Sequence, residues 1–298
     1  MFENKKIRLG IAPIGWTNDD MPELGKENSF EQCISEVALA GFTGTEVGGR
    51  FPTDPVILKK SLELRRIKIA SKWFSSFLCT TPYEENEEAF IKQLYFLELL
   101  GANRINVCEL SYNLFAKECS MFGDKKPVAT DEEWQSLTEG LNKLGKIATE
   151  RGFKLCFHHH MATVVQTIEE TQRLLDHTNP EDVYLCYDTG HFTFSSEDAV
   201  EAARLFGPRI GHVHLKDIRR ERMEAAIAEG YKFRKAVLEG CFTVPGDGFV
   251  DFMGVFKALE ESGYEGWFLV EAEQDPALAN PFEYALKARQ YIKKMTGL

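Results

Sequence analysis

Residues 184–217 read YLCYDTGHFTFSSEDAVEAARLFGPRIGHVHLKD, and this stretch decides the fold. An apolar run, Tyr184–Asp188, ends on an ionisable side chain. A segment of helical period follows. A second apolar run, Gly211–Leu215, then ends at Lys216 and Asp217. Near-continuous apolar strands joined through a helix belong to a parallel sheet buried on both faces.

Working outward, the same unit recurs. Further strands are read at Arg8–Ala12, Gly44–Val47, Ile67–Lys72, Arg104–Cys108, Lys154–His158 and Trp267–Glu271, giving eight in all. Helix starts are read at Ser29-Phe30-Glu31-Gln32, Thr130-Asp131-Glu132-Glu133, Thr163-Val164-Val165-Gln166 and Ser195-Ser196-Glu197-Asp198. Gly41, Gly101, Gly152 and Gly263 follow helical runs, where a C-terminal cap belongs. Eight strands alternating with helices predict an α/β fold, a (β/α)8 TIM barrel formed as one domain over residues 1–298. A doubly wound sheet would place a glycine-rich phosphate loop after the first strand. The segment there, APIGWTNDD, is no such loop. Two connections, Ser111–Thr130 and Ile218–Asp251, are long and are expected on the catalytic face.

Composition sets the outer bounds. The 298 residues carry 35 Lys and Arg against 46 Asp and Glu, a net charge of −11. That balance argues against nucleic acid and against an anionic membrane surface as partners. No apolar run is long enough for a transmembrane helix, and MFENKKIRLGIAPIGW does not read as a signal peptide. Seven cysteines without a CxxC pair fit a reducing, cytoplasmic setting.

Strand after strand ends on a polar side chain: Glu46, Lys72, Glu109, His158-His159-His160, Asp188, His214 with Lys216, and Glu271 with Glu273. In a barrel these converge on one mouth, the face where such folds do chemistry. His, Asp and Glu from different strands make a mixed nitrogen and oxygen site for a divalent metal. Strand alternation puts His158 and His160 on one face and His159 on the other. Lys72 does not ligate while protonated but can bind or protonate an oxygen.

The pattern Tyr187-Asp188-Thr189-Gly190-His191, His212-Val213-His214-Leu215-Lys216-Asp217 and Val270-Glu271 resembles the xylose-isomerase-like barrels. The resemblance implies that Asp188, His214 and Glu271 are metal ligands. The wider family has Glu on strand five where this chain has His158, so His158 or His160 is the candidate fourth ligand, or a water. Gly10-Ile11-Ala12-Pro13-Ile14-Gly15-Trp16-Thr17-Asn18-Asp19-Asp20, Thr45-Glu46-Val47-Gly48, His158-His159-His160-Met161 and Glu271-Ala272-Glu273-Gln274-Asp275-Pro276 are similar to the inosose dehydratases within that group. Membership implies a metal-dependent lyase that dehydrates a cyclic polyol ketone, 2-keto-myo-inositol, with Mn²⁺ or Co²⁺ and with glutathione also named as cofactor. No glutathione motif is visible in the chain. The resemblance also implies homo-oligomers.

On that reading, Lys72, His160, His191 and Glu46 are the catalytic acid and base candidates. Trp16 and Trp73 are expected at the mouth, stacking on the substrate ring, and Glu109 and Lys216 are candidates for holding substrate. Three rivals stand beside it. A ketose isomerase or epimerase shares the enolate chemistry but keeps two carboxylates astride its substrate. A nuclease resembling endonuclease IV needs a larger metal cluster and a DNA-binding surface. A metal-free binding barrel needs no ligand set at all.

Overall fold

The computed structural model describes residues 1–2 and 6–298. Its strands are β1 (Ile7–Ile11), β2 (Gly44–Thr45), β3 (Lys68–Ile69), β4 (Trp73–Ser76), β5 (Arg104–Glu109), β6 (Lys154–His158), β7 (Val183–Asp188), β8 (Ile210–Leu215), β9 (Asp217–Ile218), β10 (Phe242–Thr243) and β11 (Gly266–Val270). Nine of them form one parallel sheet in the order β3-β2-β1-β11-β8-β7-β6-β5-β4. Its two ends, β3 and β4, are neighbours in the chain, so the sheet closes on itself as a barrel.

The third strand of the sequence reading, Ile67–Lys72, is therefore two strands. β3 pairs with β2 and β4 pairs with β5. Residues 70–72 hand the ladder across: Ala70 donates to Thr45 O at 2.9 Å, Ser71 O accepts from Val47 N at 3.2 Å, and Lys72 O accepts from Asn106 N at 3.1 Å. β2 is also shorter than the reading of Gly44–Val47, because pairing turns irregular after Thr45. Gly44 has to lack a side chain. A Cβ there would lie 2.3 Å from the Trp267 ring, which plugs the lower barrel with Ala12, Ala70 and Leu269.

The helices bury apolar faces against the outside of this barrel. The longest, Asp131–Glu150, starts at the expected capping box of Thr130 and Glu133 and buries Trp134, Leu137, Leu141 and Leu144. Two expected starts shift. Helix Ile168–Asp176 is capped by Thr167 with Glu170, not by Thr163. Helix Ala199–Phe206 is capped by Asp198, because Ser195 instead ends the short helix Thr189–Phe194. Gly41, Gly101, Gly152 and Gly263 all take positive φ after helices, as expected of caps.

Both long connections cover the carboxyl end of the barrel. The first brings Phe115 against the His160 ring, with centroids 4.6 Å apart. The second holds the β9–β10 hairpin and helices Arg220–Glu229 and Phe233–Leu238. Asp217 staples it, accepting backbone N–H bonds from Ile218, Gly246, Gly248 and Val250. Arg219 is half-buried and clasps Asp247, Gly240 O, Thr243 and Tyr284. No described helix is long and apolar enough to cross a membrane.

Candidate active site

Parallel strands with a period of two send alternate side chains into the barrel, and these stack in layers. Above the apolar plug lie His212, Ser71, Asn106 and Glu46. One oxygen of Glu46 gathers the whole layer. Its Oε1 accepts from Asn106 Nδ2 at 2.7 Å and from Ser71 Oγ, and lies 3.1 Å from His214 Nε2 and 3.3 Å from His212 Nε2. Burial raises the Glu46 carboxyl, but the charge of His214 and the bonds from both histidines hold it well below the usual range. Burial dominates at His212 and lowers its pKa to about 4.

The next layer brings together His158 from β6, Asp188 from β7, His214 from β8 and Glu271 just beyond β11. His214 Nδ1 lies 2.9 Å from Glu271 Oε2, 3.2 Å from His158 Nε2 and 3.6 Å from Asp188 Oδ2. His158 Nε2 and Asp188 Oδ2 are 3.7 Å apart. Ligands about 2.0–2.2 Å from one cation sit at such separations from each other. Asp188 Oδ1 is occupied by the His191 backbone N–H at 2.8 Å, whereas its Oδ2 is buried with no hydrogen-bond partner. An orphaned buried carboxylate oxygen facing imidazole nitrogens and a second carboxylate fits a divalent cation. Burial opposes charge on His214, but Cys186, Glu271 and Glu46 outweigh it and hold its pKa well above that of ordinary imidazole. Glu271 is pulled down to about 2, since the charges of His214 and Lys216 overcome its burial.

Lys216 sits fully buried beside this cluster. Its Nζ lies 2.8 Å from Glu271 Oε1, 2.9 Å from Glu273 Oε2 and 2.7 Å from His191 Nε2. An ammonium has three N–H donors, and these contacts use all three. Burial would discharge it, but Glu271, Glu273 and Asp188 keep its pKa above the ordinary lysine value. Glu273 is raised to about 7, mainly by burial, with Lys216 opposing the shift.

A cavity of about 280 Å³ opens above these layers. Its walls include Asp19, Asp20, Glu46, Lys72, Trp73, His160, Glu271 and Glu273. His160 Nδ1 donates to the Met161 carbonyl at 2.7 Å, which leaves the lone pair on Nε2. Burial, with the charges of His158 and Lys216, keeps its pKa well below the ordinary value, so the ring is neutral at pH 7. Burial also lowers Lys72, against the opposing charge of Asp19.

The structure thus brings the four expected ligands together, and sets Glu46, Lys72, Trp73 and His160 on the cavity wall. It does not do so for four other residues. Trp16 is buried behind the turn Pro13–Gly15, where its indole N–H donates to Glu36 at 2.5 Å, so it does not stand at the mouth. Glu109 is buried and spent on its own loop, accepting from Ser76, Leu78 and Ser111. Lys216 has no donor left for a substrate. His191 lies beneath His160, with ring centroids 3.6 Å apart, and faces Lys216 rather than the cavity. His159 points away as alternation requires, accepting from the Asp188 backbone N–H at 3.1 Å and stacking on Phe192.

Several wall residues had no assigned role in the sequence. Glu273 follows Glu271 at the two-residue strand period, a signal that was present. Asn106 and Ser71 lie in the layer beneath the cavity rather than on its wall; Asn106 stands inside an apolar run, whereas Ser71 is followed at once by Lys72. Asp19, Asp20 and Phe115 come from loops, where no periodicity marks them.

The family described as Xylose isomerase-like TIM barrel matches residues 34–295. An inosose dehydratase of Clostridium perfringens is 56% identical over 295 residues, covering 99% of each chain. An inosose dehydratase of Geobacillus thermodenitrificans is 56% identical over 298 residues, covering 100% of each chain. The chain belongs to the inosose dehydratase family. Among solved structures, the IOLI protein with a bound zinc atom superposes with a TM-score of 0.69 at 17% identity, over 97% of this chain and 96% of that one. At that identity the likeness speaks for the barrel alone.

Proposed function

We propose that this protein is a hydro-lyase that removes water from 2-keto-myo-inositol, giving a trihydroxycyclohexane-1,2-dione. One observation carries the reading: 56% identity to named inosose dehydratases across the full length of both chains. The cavity supports it. About 280 Å³ is at the small end of ligand sites and suits one six-membered polyol ring.

His158, Asp188, His214 and Glu271 hold a divalent cation, Mn²⁺ or Co²⁺. When bound, the cation supplies Lewis acidity toward the ketone and fixes the orientation of the ring. The protein's own side chains move the protons. The bare Nε2 of His160 takes the proton from the carbon α to the ketone. The C–H electron pair becomes the carbon–carbon double bond of an enolate. As the enolate collapses, the β-carbon loses its hydroxyl. Lys72 gives that oxygen a proton, so it leaves as water rather than hydroxide. Burial lowers the Lys72 pKa and makes its ammonium a better acid. One C–H and one C–O bond break, and the enol product tautomerises to the dione. Trp73 covers one wall, where an aromatic face stacks on the C–H side of a sugar-like ring.

The experiment is direct: protein loaded with Mn²⁺ or Co²⁺ is given 2-keto-myo-inositol, and the dione is followed with time. Dione formation is expected. Return of an epimerised ketose without dione would replace dehydration by epimerisation, and no turnover with or without metal would sink the assignment.

A further inference from the structure

Glu46 was read from the sequence as one of the acid and base candidates, and the geometry gives it a different task. Its Oε1 collects donors from three other strand segments: Ser71 between β3 and β4, Asn106 on β5, and His212 and His214 on β8. His214 matters most here. Its Nε2 lies 3.1 Å from Glu46 Oε1 and 3.3 Å from Asn106 Nδ2. The amide nitrogen cannot accept, and its two N–H groups have Glu46 Oε1 at 2.7 Å and Ser71 Oγ at 3.2 Å, so the carboxylate is the acceptor for His214 Nε2–H. A proton kept on Nε2 frees Nδ1 for coordination. Nδ1 is the atom that stands 2.9 Å from Glu271 Oε2, 3.2 Å from His158 Nε2 and 3.6 Å from Asp188 Oδ2.

From this arrangement, which rests on the metal-centre reading above, we infer that Glu46 is a positioning residue acting through His214. It selects the Nε2–H tautomer and locks the ring so that Nδ1 faces the cation. A carboxylate behind a ligating imidazole raises the basicity of the ligand and restrains its rotation. Here the carboxylate is itself clamped from several strands, so the ring is fixed by the barrel frame. Glu46 stands just beyond β2 and His214 on β8. The hydrogen bond therefore crosses the barrel and ties the half that carries no ligand to the half that carries all four.

The test measures metal affinity rather than turnover alone. Mn²⁺ binding by the whole protein is followed by competition with a chelator, and Co²⁺ binding by its visible absorption. Glu46→Gln keeps the size and an acceptor oxygen but loses the charge. It is expected to raise the Mn²⁺ Kd by about 10-fold to 100-fold and to shift the Co²⁺ bands. Saturating Mn²⁺ should then restore most of kcat. Ser71→Ala leaves the Glu46–His214 bond in place and should move the Kd far less. If Glu46→Gln does not fold, Glu46→Asp, which retracts the carboxylate by one methylene, reads the same quantity and should also weaken metal binding. An unchanged Kd and Co²⁺ spectrum with a collapse of kcat that excess Mn²⁺ does not rescue would make Glu46 a catalytic base and overturn the inference. Wild-type protein that binds neither Mn²⁺ nor Co²⁺ would overturn the metal-centre reading itself.

Discussion

The two halves of the barrel mouth are built differently. From β5 round to β11 the five strands run 6, 5, 6, 6 and 5 residues, and their carboxyl ends carry His158, Asp188, His214 and Glu271. On the other side β1 has five residues, but β2 and β3 have two each and β4 has four. Long pairing, with one register shift at Leu185/Cys186 between β7 and β8, directs the side chains there, so ligand atoms from four elements come within 3.7 Å of one another along the chain of contacts. The broken side does what a regular strand forbids. Lys72 and Trp73 are adjacent in sequence, and alternation would send them to opposite faces. With the strand interrupted at residues 70–72, both line the cavity. The regular half is suited to holding a cation, and the irregular half to wrapping a substrate.

That division is open to attack by mutation. The largest effect is expected in the regular half. Asp188→Ala removes a buried carboxylate oxygen that has no hydrogen-bond partner, and should abolish metal retention. Turnover should fall about 1,000-fold or more, equivalent to about 4 kcal/mol of lost Lewis-acid stabilisation. Elemental analysis after purification and initial rates check both. Near-normal turnover would remove the metal from the account.

Lys72→Met probes the irregular half. It is expected to lower kcat by about 100-fold to 10,000-fold, the range of one general acid, while Mn²⁺ affinity stays as in the wild type. A parallel loss of metal affinity would show that the halves are not separable.

The two tryptophans give a smaller contrast. Trp16→Phe keeps the buried ring and loses the N–H bond to Glu36, so it should cost about 1 kcal/mol of stability and leave kcat and KM alone. Trp73→Ala should instead raise KM for the polyol ketone, because Trp73 lines the cavity. Thermal melts and steady-state kinetics separate the pair.

The smallest effect lies in the connection over the regular half. Burial raises Asp247, but bonds from Lys287, Thr243 and Arg219 outweigh it and hold its carboxyl below the usual range. A depressed folded pKa contributes stability above the unfolded value near about 4, and that contribution disappears as pH falls through the lower folded value. Asp247→Asn should therefore destabilise by roughly 0.5 kcal/mol at pH 7, a solvent-screened contribution, with the gap to wild type closing as pH falls below the unfolded value. A gap that persists unchanged at low pH would mean packing, not charge, sets the effect.

The same division explains what the sequence made legible. Tyr184–Asp188 and Gly211–Leu215 are near-continuous apolar runs, and their ends place Asp188, His214 and Lys216 at the carboxyl end of the barrel. The third strand was opaque, because Ile67–Lys72 is apolar enough for one strand and its break follows from closing a ring of unequal neighbours. Trp16 failed because it belongs to a loop, where no period tells inside from mouth. Glu109 and Lys216 sit at strand ends as expected, yet hydrogen bonding to Ser111 and Leu78 in one case, and to Glu271, Glu273 and His191 in the other, consumes them. The pairing of Glu109 with Leu78 and of Lys216 with Glu271, Glu273 and His191 joins distant segments and leaves no local trace in a sequence.

The central claim is that four side chains on the regular half hold the cation on which dehydration of 2-keto-myo-inositol depends. The most direct measurement strips the protein with a chelator, confirms the loss by elemental analysis, and follows dione formation before and after titrating Mn²⁺ back. The account predicts no dione from stripped protein and full recovery at about one Mn²⁺ per chain. Undiminished dione formation by metal-free protein would contradict it.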